Sequence, residues 1–335
     1  MQIGVIGAGS WGTALAWALG HKGYAVWLWG RDTAHLEQIA SERVNRRYLP
    51  EVRLPDTVHP TTAAAPLRAC AVWVLTVPSG ALRATLALEP PAHAALVIAA
   101  KGLEPGTGKR LTQVVCETVP DSDARTVVLS GPNLAVELTR GAPTATVAAS
   151  RNLSCAEQIQ ELFMTPPILR VYTNDDVVGV ELGGALKNVY AIGAGISDGM
   201  GFGDNTKATL LTRGLAEMMR LGVASGARPE TFMGLTGVGD LFATAVSCLS
   251  RNYRLGRAVA EGKAAAQALA ELGQVAEGYP TALAAQALAA QLGVEMPLLN
   301  AIAAILRGER ALRDALESLM TRPPKGEREF EVRAL

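Results

Sequence analysis

The glycine-rich stretch at residues 7–12 constrains the fold of this chain more than any other feature. It follows a short apolar run, residues 3–6, that predicts a buried strand, and it precedes an alanine-rich helical segment over about residues 13–22. Its sequence, Gly-Ala-Gly-Ser-Trp-Gly, fits the pattern G-x-G-x-x-G. A strand, this loop and a helix in that order favour dinucleotide binding over an ordinary glycine-rich turn.

Each glycine of this loop has a mechanical role in that interpretation. Gly7 would form the tight turn, Gly9 would let a pyrophosphate approach the backbone, and Gly12 would let helix and strand pack closely. The free N–H groups at the start of the helix, together with the positive end of its dipole, would then face the phosphates.

Composition excludes several classes of partner. The 335 residues suffice for roughly two domains, and an apolar content of 49% supports large cores. The 31 basic and 31 acidic residues cancel, which leaves no electrostatic footprint for nucleic acid or an anionic membrane. No apolar run reaches the roughly 20 residues of a membrane span, and no signal-peptide pattern precedes the first strand.

Cysteine usage indicates a cytoplasmic protein. The four cysteines, Cys70, Cys116, Cys155 and Cys248, are far apart and form no C-x-x-C pair. With only four histidines and no H-E-x-x-H motif, the sequence gives no sign of a metal site. We therefore expect reduced, buried thiols in the cytoplasm.

The first half of the chain alternates apolar runs with helical segments. A helix is predicted over residues 33–44, and strands are predicted over residues 24–29, 71–77, 94–99, 126–129 and 144–149. Continuously apolar strands favour a parallel sheet covered on both faces, and their alternation with helices is typical of a doubly wound fold. The fold class is therefore α/β, with an N-terminal doubly wound Rossmann-type parallel sheet.

The pattern changes after about residue 175. Strand signals are nearly absent there, and helices are predicted over residues 176–197, 207–226, 251–261, 279–292, 297–306 and 310–319. The pair Pro323-Pro324 ends the last helix, and a charged tail follows. We therefore predict a dinucleotide-binding domain over residues 1–175 and an all-helical, substrate-binding C-terminal domain over residues 176–335.

Polar clusters follow five of the predicted strands. They lie at residues 7–12, 29–32, 77–80, 101–102 and 131–133. Ligands of open α/β sheets bind beyond the carboxyl ends of the strands. These clusters are therefore the candidate site residues of the first half.

Arg31 is the first polar side chain after the second predicted strand. NAD-specific sites commonly place an acidic residue there, on the ribose 2′-hydroxyl. A guanidinium can instead pair with a 2′-phosphate and stack on adenine; the alternative is a solvated arginine beside a helix N-cap at Asp32 or Thr33. Because Asp32 could still reach the ribose, we expect NADP(H) to bind and NAD(H) to be used as well.

Three stretches of the second half are too polar for an ordinary core. Lys187 lies in an apolar, glycine-rich segment, where burial would lower its pKa and suit it to proton transfer, unless the side chain snorkels to water. Asp240 follows a glycine-rich turn and is either functional or a simple N-cap. Residues 250–252, Ser-Arg-Asn, open a helix as either an anion cradle or an ordinary cap.

Together these stretches resemble the bacterial-type NAD(P)-dependent glycerol-3-phosphate dehydrogenases over residues 1–330. The resemblance is carried by residues 7–12, 100–104, 130–132, 181–188, 237–241, 250–252 and 275–278. The glycine loop alone is generic. The specific parts are Lys-Gly-Leu at 101–103, Leu-Lys-Asn at 186–188, Gly-Asp-Leu at 239–241 and Ser-Arg-Asn at 250–252.

The resemblance implies roles for individual residues. Lys187 would be the proton donor and acceptor. The substrate would be surrounded by Lys101, Gly131, Asn133, Lys187, Asp240, Ser250, Arg251 and Asn252. The cofactor would contact Gly7, Gly9, Ser10, Trp11, Gly12, Arg31, Lys101, Ala135, Arg251, Val275 and Glu277. Asn133-Leu134 departs from the family, which usually has a hydroxyl residue followed by Phe, but an asparagine can still donate a hydrogen bond.

The implied reaction is the reversible reduction of dihydroxyacetone phosphate to sn-glycerol 3-phosphate, the backbone of phospholipids. Hydride would pass from the nicotinamide to the C2 carbonyl, and the alkoxide would take a proton from Lys187. No metal is implied, because the lysines can supply positive charge. The alternatives are a two-domain 3-hydroxy acid dehydrogenase, which needs a carboxylate pocket, and a non-catalytic NADPH-sensing protein, which needs no Lys187. A homodimer is left open.

The substitution Arg31→Ala tests the expected 2′-phosphate contact. We expect it to weaken NADPH binding more than NADH binding, by roughly 1–3 kcal/mol, because only NADPH carries the phosphate that a charge-assisted contact would hold. Fluorescence titrations of native protein and variant with both cofactors measure the difference. Equal weakening of both would show that Arg31 only stacks on adenine.

Overall fold

The computed structural model describes residues 1–324, 326 and 327. Its strands are β1 (Gln2–Ile6), β2 (Ala25–Trp29), β3 (Val44–Asn45), β4 (Leu49–Arg53), β5 (Val58–Thr61), β6 (Val72–Leu75), β7 (Ala95–Ile98), β8 (Thr126–Ser130), β9 (Thr144–Ala149) and β10 (Leu169–Asn174).

Its helices are α1 (Ser10–His21), α2 (Thr33–Glu42), α3 (Leu82–Thr85), α4 (Leu111–Thr118), α5 (Ala135–Thr139), α6 (Leu153–Phe163), α7 (Val177–Gly199), α8 (Gly203–Ala224), α9 (Pro229–Phe232), α10 (Asp240–Val246), α11 (Arg251–Ala260), α12 (Ala265–Leu272), α13 (Gly278–Gln291), α14 (Pro297–Leu306) and α15 (Leu312–Met320). Short 3-10 turns lie at Ala65–Ala69, Ser79–Ala81, Leu86–Leu88 and Asp123–Arg125, and a π-helical turn lies at Leu235–Gly239.

Eight of the strands form one sheet in the order β10-β9-β8-β7-β6-β1-β2-β5. The chain runs outward from β1 through β2 to β5, returns to β6 on the other side of β1, and continues outward. The strand order therefore reverses between β1 and β6, the place where doubly wound sheets bind ligands. The five polar clusters follow β1, β2, β6, β7 and β8, which are adjacent and parallel.

Alternate residues of the central strands pack on opposite faces of the sheet. On β6, Val74 lies in the apolar cluster that contains Leu15 of α1, whereas Trp73 lies in the cluster that contains Val115 of α4. Because both faces are covered, both sets of side chains must be apolar. The predicted doubly wound Rossmann-type sheet, covered on both faces, is thereby confirmed.

Several local predictions were wrong, three of them in the first half of the chain. Strand β9 runs antiparallel to β8, so the sheet is not parallel throughout. Helix α2 ends at Glu42 rather than at residue 44, because Arg43 has a left-handed φ of 59° and Val44 begins β3. Helix α1 begins at Ser10, before its predicted start at residue 13, so Gly12 lies in its first turn.

Sequence analysis also missed β4, β5 and β10, and among the longer helices α4, α6 and α12. Strands β5 and β10 are the two edges of the sheet. Strand β5 carries Pro60, which is tolerated at an edge, and β10 alternates buried Leu169 and Val171 with exposed Arg170 and Tyr172. Neither resembles the continuously apolar central strands on which the prediction relied.

Helix α7 is the centre of the second half. Its residues are almost all buried, and it packs against α8, α10, α11 and α13. Its glycines permit backbone contact with α11: a Cβ on Gly195 would lie 2.1 Å from the carbonyl oxygen of Tyr253, and one on Gly256 would lie 2.0 Å from that of Ile192. The described residues after Asn174 contain helices and turns but no strand, which confirms the predicted helical half.

The exact domain division remains a prediction. The last strand ends at Asn174 and α7 begins at Val177, but residues 176–335 include positions outside the described part of the chain. Apart from Gly326 and Glu327, the predicted charged tail after Pro324 also lies outside it. Within the described residues, no single helix is long and apolar enough to cross a membrane.

The prediction that the cysteines are buried holds for two of the four. Cys70 and Cys155 are buried, whereas Cys116 and Cys248 are exposed, so the prediction of buried thiols was wrong for these two. All four are free. No group of three or more His, Cys, Asp or Glu side chains that could hold a metal ion is found in the described part of the chain.

A buried ion pair joins α7 to the first half. The Glu181 carboxylate on α7 accepts hydrogen bonds from Thr112 N at 2.8 Å, Thr112 Oγ1 at 2.7 Å and Arg110 Nη1 at 2.9 Å. The side chains of Arg110 and Glu181 are only 13% and 4% exposed. Loss of either partner would leave the other charge buried and unpaired.

The substitution Glu181→Ala should lower the free energy of unfolding by about 3–5 kcal/mol, because Arg110 would remain buried without its carboxylate. Urea unfolding followed by circular dichroism measures the change. The control is Glu51→Ala, which removes an ion pair whose partners, Arg140 and Glu51, are 63% and 72% exposed and which should contribute about 1 kcal/mol or less. Equal effects of the two variants would contradict a stabilising link at Glu181.

Candidate active site

A cleft of about 360 Å³ lies where the carboxyl ends of the central strands face the helical half. Residues after β1, β6, β7 and β8 form one wall, and residues of α7, α10 and α11 form the other. The predicted site residues in its lining are Ser10, Trp11, Lys101, Asn133, Ala135, Lys187, Ser250, Arg251, Asn252, Val275 and Glu277. Residues that were widely separated in the sequence are thus brought together at the switch point of the sheet.

The other predicted residues lie outside this lining. Gly131 and Asp240 accept hydrogen bonds from Lys101, which lines the cleft, and the glycines of residues 7–12 belong to the same loop as Ser10 and Trp11. Arg31 is exposed beyond β2 and is not brought into the cleft. Its contact with a cofactor remains a prediction.

Asp240 lies between two lysines. Its Oδ2 accepts a hydrogen bond from Lys101 Nζ at 2.8 Å, and its Oδ1 accepts one from Lys187 Nζ, also at 2.8 Å. Lys101 Nζ also donates to the carbonyl oxygen of Gly131 at 2.6 Å, and Lys187 Nζ donates to Thr244 Oγ1 at 2.6 Å. Asp240 is 1% exposed and Lys187 6%, so one carboxylate holds two cations in a nearly dry wall.

Each lysine retains one N–H group for a ligand. An ammonium has three donors, and among the described residues two are bonded at Lys101 and two at Lys187. Both side chains line the cleft. The pair therefore suits an oxygen atom that accepts hydrogen bonds and develops negative charge, such as a carbonyl oxygen that becomes an alkoxide.

The environment of Lys187 brings its pKa close to neutrality. This pKa is lowered from 10.5 to about 8, mainly by burial; the carboxylate of Asp240 acts in the opposite direction, and the neighbouring charge of Lys101 acts in the same direction as burial. A group with such a pKa can both release and recover a proton near neutral pH. The buried lysine expected from the sequence is thus present, and it does not snorkel to water.

The start of α11 forms a cationic end of the cleft. Ser250 Oγ caps this helix by accepting a hydrogen bond from Tyr253 N at 3.2 Å, and no acceptor among the described residues takes its hydroxyl hydrogen, which a ligand can therefore use. Burial lowers the pKa of Arg251 below its usual range, and Glu277 acts in the opposite direction. Arg254 lines the cleft as well. Helix N–H groups, the positive dipole end and guanidinium groups together suit a dianionic phosphate.

The Asn252 carboxamide is hydrogen-bonded at both its nitrogen and its oxygen. Its Nδ2 donates to Asn188 Oδ1 at 2.8 Å, and its Oδ1 accepts from Gly278 N at 2.9 Å. Asn188 Nδ2 in turn donates to the carbonyl oxygen of Lys101 at 3.0 Å. Asn252 therefore lines the cleft and also links α11 to α7 and to the start of α13.

The glycine loop fits a dinucleotide. A Cβ on Gly12 would lie 1.9 Å from the carbonyl oxygen of Gly7, so helix and turn require glycine there, whereas one on Gly9 would meet nothing within 4 Å. Helix α1 has no side-chain cap at its N-terminus, which leaves N–H groups for phosphate oxygens. Trp11 Nε1 is buried without a partner among the described residues, a donor that a ligand can satisfy.

Glu277 connects the two walls of the cleft. It accepts hydrogen bonds from Ser79 N at 2.9 Å and from Ser79 Oγ at 2.6 Å. Burial raises the pKa of this carboxyl above its usual range, and the Ser79 bonds and Arg251 act in the opposite direction. Ser79 belongs to the polar cluster after β6, so the sheet topology explains its position.

Sequence analysis missed Thr244 and Asn188. Thr244 lies one helical turn after Asp240 on α10, and the available signal was a spacing of four residues behind a possible helix N-cap at Asp240. Asn188 lies directly after Lys187, inside a motif that sequence analysis quoted without a role for it. Tyr48 also lines the cleft.

Comparison with known proteins covers nearly the whole chain. The family model described as the N-terminus of NAD-dependent glycerol-3-phosphate dehydrogenase matches residues 2–156, and the model of its C-terminus matches residues 176–317. Glycerol-3-phosphate dehydrogenase (NAD(P)+) of Geobacillus kaustophilus (strain HTA426) is 47% identical over 97% of this chain and 96% of its own length. The enzyme of the same name from Enterococcus faecalis (strain ATCC 700802 / V583) is 45% identical over 99% and 98%.

Solved structures agree with these relatives. The crystal structure of glycerol-3-phosphate dehydrogenase from Coxiella burnetii has a TM-score of 0.91 and 38% identity, and the match covers 96% of this chain and 99% of that one. D-mandelate dehydrogenase has a TM-score of 0.62 and only 12% identity, so this match shows the fold alone. The resemblance found in the sequence is confirmed, and this chain belongs to the NAD-dependent glycerol-3-phosphate dehydrogenase family of oxidoreductases.

Proposed function

We propose that Lys187 gives and takes the proton when this chain interconverts dihydroxyacetone phosphate and sn-glycerol 3-phosphate. The observation that carries the proposal is the Lys187–Asp240–Lys101 arrangement in the wall of the cleft. NAD(P)H, when bound, supplies the hydride from C4 of its nicotinamide. The residues of this chain provide the proton, the positive charge and the orientation.

The two lysines act on the carbonyl oxygen of the substrate. The remaining N–H group of Lys101 and that of Lys187 donate to this oxygen and stabilise its charge as it becomes an alkoxide. Lys187, with a pKa of about 8, then transfers a proton to it. Asp240 keeps both ammonium groups in place, and Thr244 Oγ1 fixes the direction of Lys187 Nζ.

The phosphate of the substrate binds at the start of α11. Ser250, Arg251 and Asn252 surround it with side-chain donors, and the helix adds N–H groups and its dipole. The loop after β8 completes the substrate site with Gly131 and Asn133. Binding energy at this remote phosphate holds the carbonyl carbon in position, so it contributes to turnover as well as to affinity.

The cofactor lies along the carboxyl ends of the strands in this proposal. The phosphates of the cofactor would be held by the loop that contains Gly7, Gly9, Ser10, Trp11 and Gly12. The remaining contacts of the cofactor would be Arg31, Lys101, Ala135, Arg251, Val275 and Glu277. Residues 1–175 act as the dinucleotide-binding domain and residues 176–335 as the substrate-binding domain. The switch point between β1 and β6 supports this placement.

We also propose a metabolic role, a cellular location and an oligomeric state for this enzyme. The product supplies the glycerol phosphate backbone for phospholipid synthesis. We place the enzyme in the cytoplasm, which the four free cysteines support because thiols stay reduced there. A homodimer is also proposed, and analytical ultracentrifugation, which reports the mass of one chain or of two, tests it.

The substitution Lys187→Met should reduce turnover by about 10²- to 10⁴-fold while NADPH still binds, because only the proton-transfer group is lost. Stopped-flow or steady-state absorbance of NADPH measures turnover, and fluorescence titration measures binding. The control is Lys22→Met, which removes a partly buried lysine whose Nζ donates, among the described residues, to the carbonyl oxygens of Glu161, Leu162 and Met164. This control should retain native turnover.

The dependence of turnover on pH gives a second test of proton transfer by Lys187. Reduction needs protonated Lys187, so its rate should fall as pH rises through about 8, and oxidation of sn-glycerol 3-phosphate, which needs the neutral amine, should rise over the same range. The residual activity of Lys187→Met should lack this transition. Near-native turnover in the variant, or an unchanged pH profile, would remove Lys187 from the mechanism.

The substitutions Arg251→Lys and Arg251→Ala test the phosphate cradle. We expect Arg251→Lys to raise KM for dihydroxyacetone phosphate and lower kcat, because an ammonium cannot grip two phosphate oxygens, and we expect Arg251→Ala to be worse on both. Unphosphorylated dihydroxyacetone should be a very poor substrate of the native enzyme. Steady-state kinetics with both substrates, and with Arg257→Ala as a control on the exposed side of α11, measure these effects.

Use of dihydroxyacetone nearly as efficiently as of its phosphate would refute the cradle. Equal kinetic effects of Arg257→Ala and Arg251→Ala would do the same, since Arg257 is exposed and pairs with Glu261.

A further inference from the structure

Asn133 in the loop after β8 is held by two residues of β9. Its Nδ2 donates to the carbonyl oxygen of Ala145 at 2.8 Å, and its Oδ1 accepts a hydrogen bond from Thr146 Oγ1 at 3.0 Å. These contacts determine which way the carboxamide points. A carbonyl oxygen can only accept, so the amide atom beside Ala145 must be nitrogen, and Oδ1 must then face the hydroxyl of Thr146.

Thr146 lies underneath this loop. It is 1% exposed, and its hydroxyl is also 3.0 Å from the carbonyl oxygen of Ser130. Gly131 passes directly over it: this residue has a positive φ of 151°, and a Cβ there would lie 3.0 Å from Thr146 Cα. Thr146 itself does not belong to the lining of the cleft, whereas Asn133 does.

The orientation of Asn133 has a chemical consequence. One hydrogen of Nδ2 is used by Ala145, and among the described residues no second acceptor is bonded to that nitrogen. Because Asn133 lines the cleft, its second N–H group is left for a ligand there. A donor suits an oxygen-rich, anionic substrate. Without the Thr146 hydroxyl, Oδ1 would lose its donor, and the bond to the carbonyl oxygen of Ala145 would alone hold the carboxamide.

We propose that Thr146 is a positioning residue for the substrate: its buried hydroxyl fixes the Asn133 carboxamide so that an N–H group faces the cleft. The inference rests on the proposed contact between Asn133 and the substrate. Thr146 acts only through Asn133, so its loss affects substrate affinity and leaves proton transfer at Lys187 in place.

Three single variants test this inference on the full-length enzyme. Thr146→Val, which keeps the shape but removes the hydroxyl, should raise KM for dihydroxyacetone phosphate about fivefold, the effect of one neutral hydrogen bond, with kcat and KM for NADPH changed by less than about twofold. Thr146→Ser, which keeps the hydroxyl, should be native-like. Thr126→Val, the control, loses a buried hydrogen bond to the carbonyl oxygen of Ser122 at the opposite end of β8 and should leave all three constants unchanged.

A double-mutant cycle identifies the route of the effect. Asn133→Ala should raise KM for dihydroxyacetone phosphate at least as much as Thr146→Val, and adding Thr146→Val to it should cause less than about a twofold further change. Full additivity would overturn the inference, since Thr146 would then act through Ser130 and Gly131. The inference would also be overturned if Thr146→Ser raised KM for dihydroxyacetone phosphate as much as Thr146→Val does. The same holds if the control Thr126→Val raised it as much.

Assays of the native enzyme distinguish a failure of this inference from a failure of the proposed function. Failure of the native enzyme to reduce dihydroxyacetone phosphate would refute the proposed function itself. If the native enzyme does reduce it while Asn133→Ala retains the native KM, only the inference about Thr146 fails.

Discussion

The chemistry of this cleft depends on one buried carboxylate shared by two ammonium groups. Asp240 accepts from Lys101 on the sheet side and from Lys187 on the helical side, each at 2.8 Å. Without it, two like charges would repel each other in a nearly dry wall, and the pKa of Lys187 would fall further. With it, the site keeps one net positive charge and two remaining donors, which is what a developing alkoxide requires.

Two features of the fold bring these three side chains together. Lys101 follows β7, close to the reversal of strand order between β1 and β6, where the carboxyl ends of parallel strands leave a crevice. Helix α7 presents Lys187 from the opposite side and is fastened to the first half through Glu181 and Asn188. The active site is thus an interface between the sheet and the helices.

Much of this arrangement could be predicted because it is encoded locally. The strand, glycine loop and helix at residues 2–21 can be recognised by pattern, and a lysine within an apolar helix is conspicuous because its burial is unfavourable. The edge strands β5 and β10 could not be predicted, since they lack continuous apolar character. The hydrogen bond from Thr146 to Asn133 could not be predicted either, because it depends on β9 pairing antiparallel to β8.

The contact between α7 and α11 limits how an enzyme of this kind can diverge. At Gly195 and Gly256 the two helices meet backbone to backbone, so substitution there displaces a whole helix and with it Lys187 and Arg251. Asn133, in the loop after β8, contacts β9 through hydrogen bonds of its side chain rather than through packed backbones. A substitution at Asn133 can therefore alter contacts with the substrate without displacing the pair of helices that aligns the proton donor with the phosphate site.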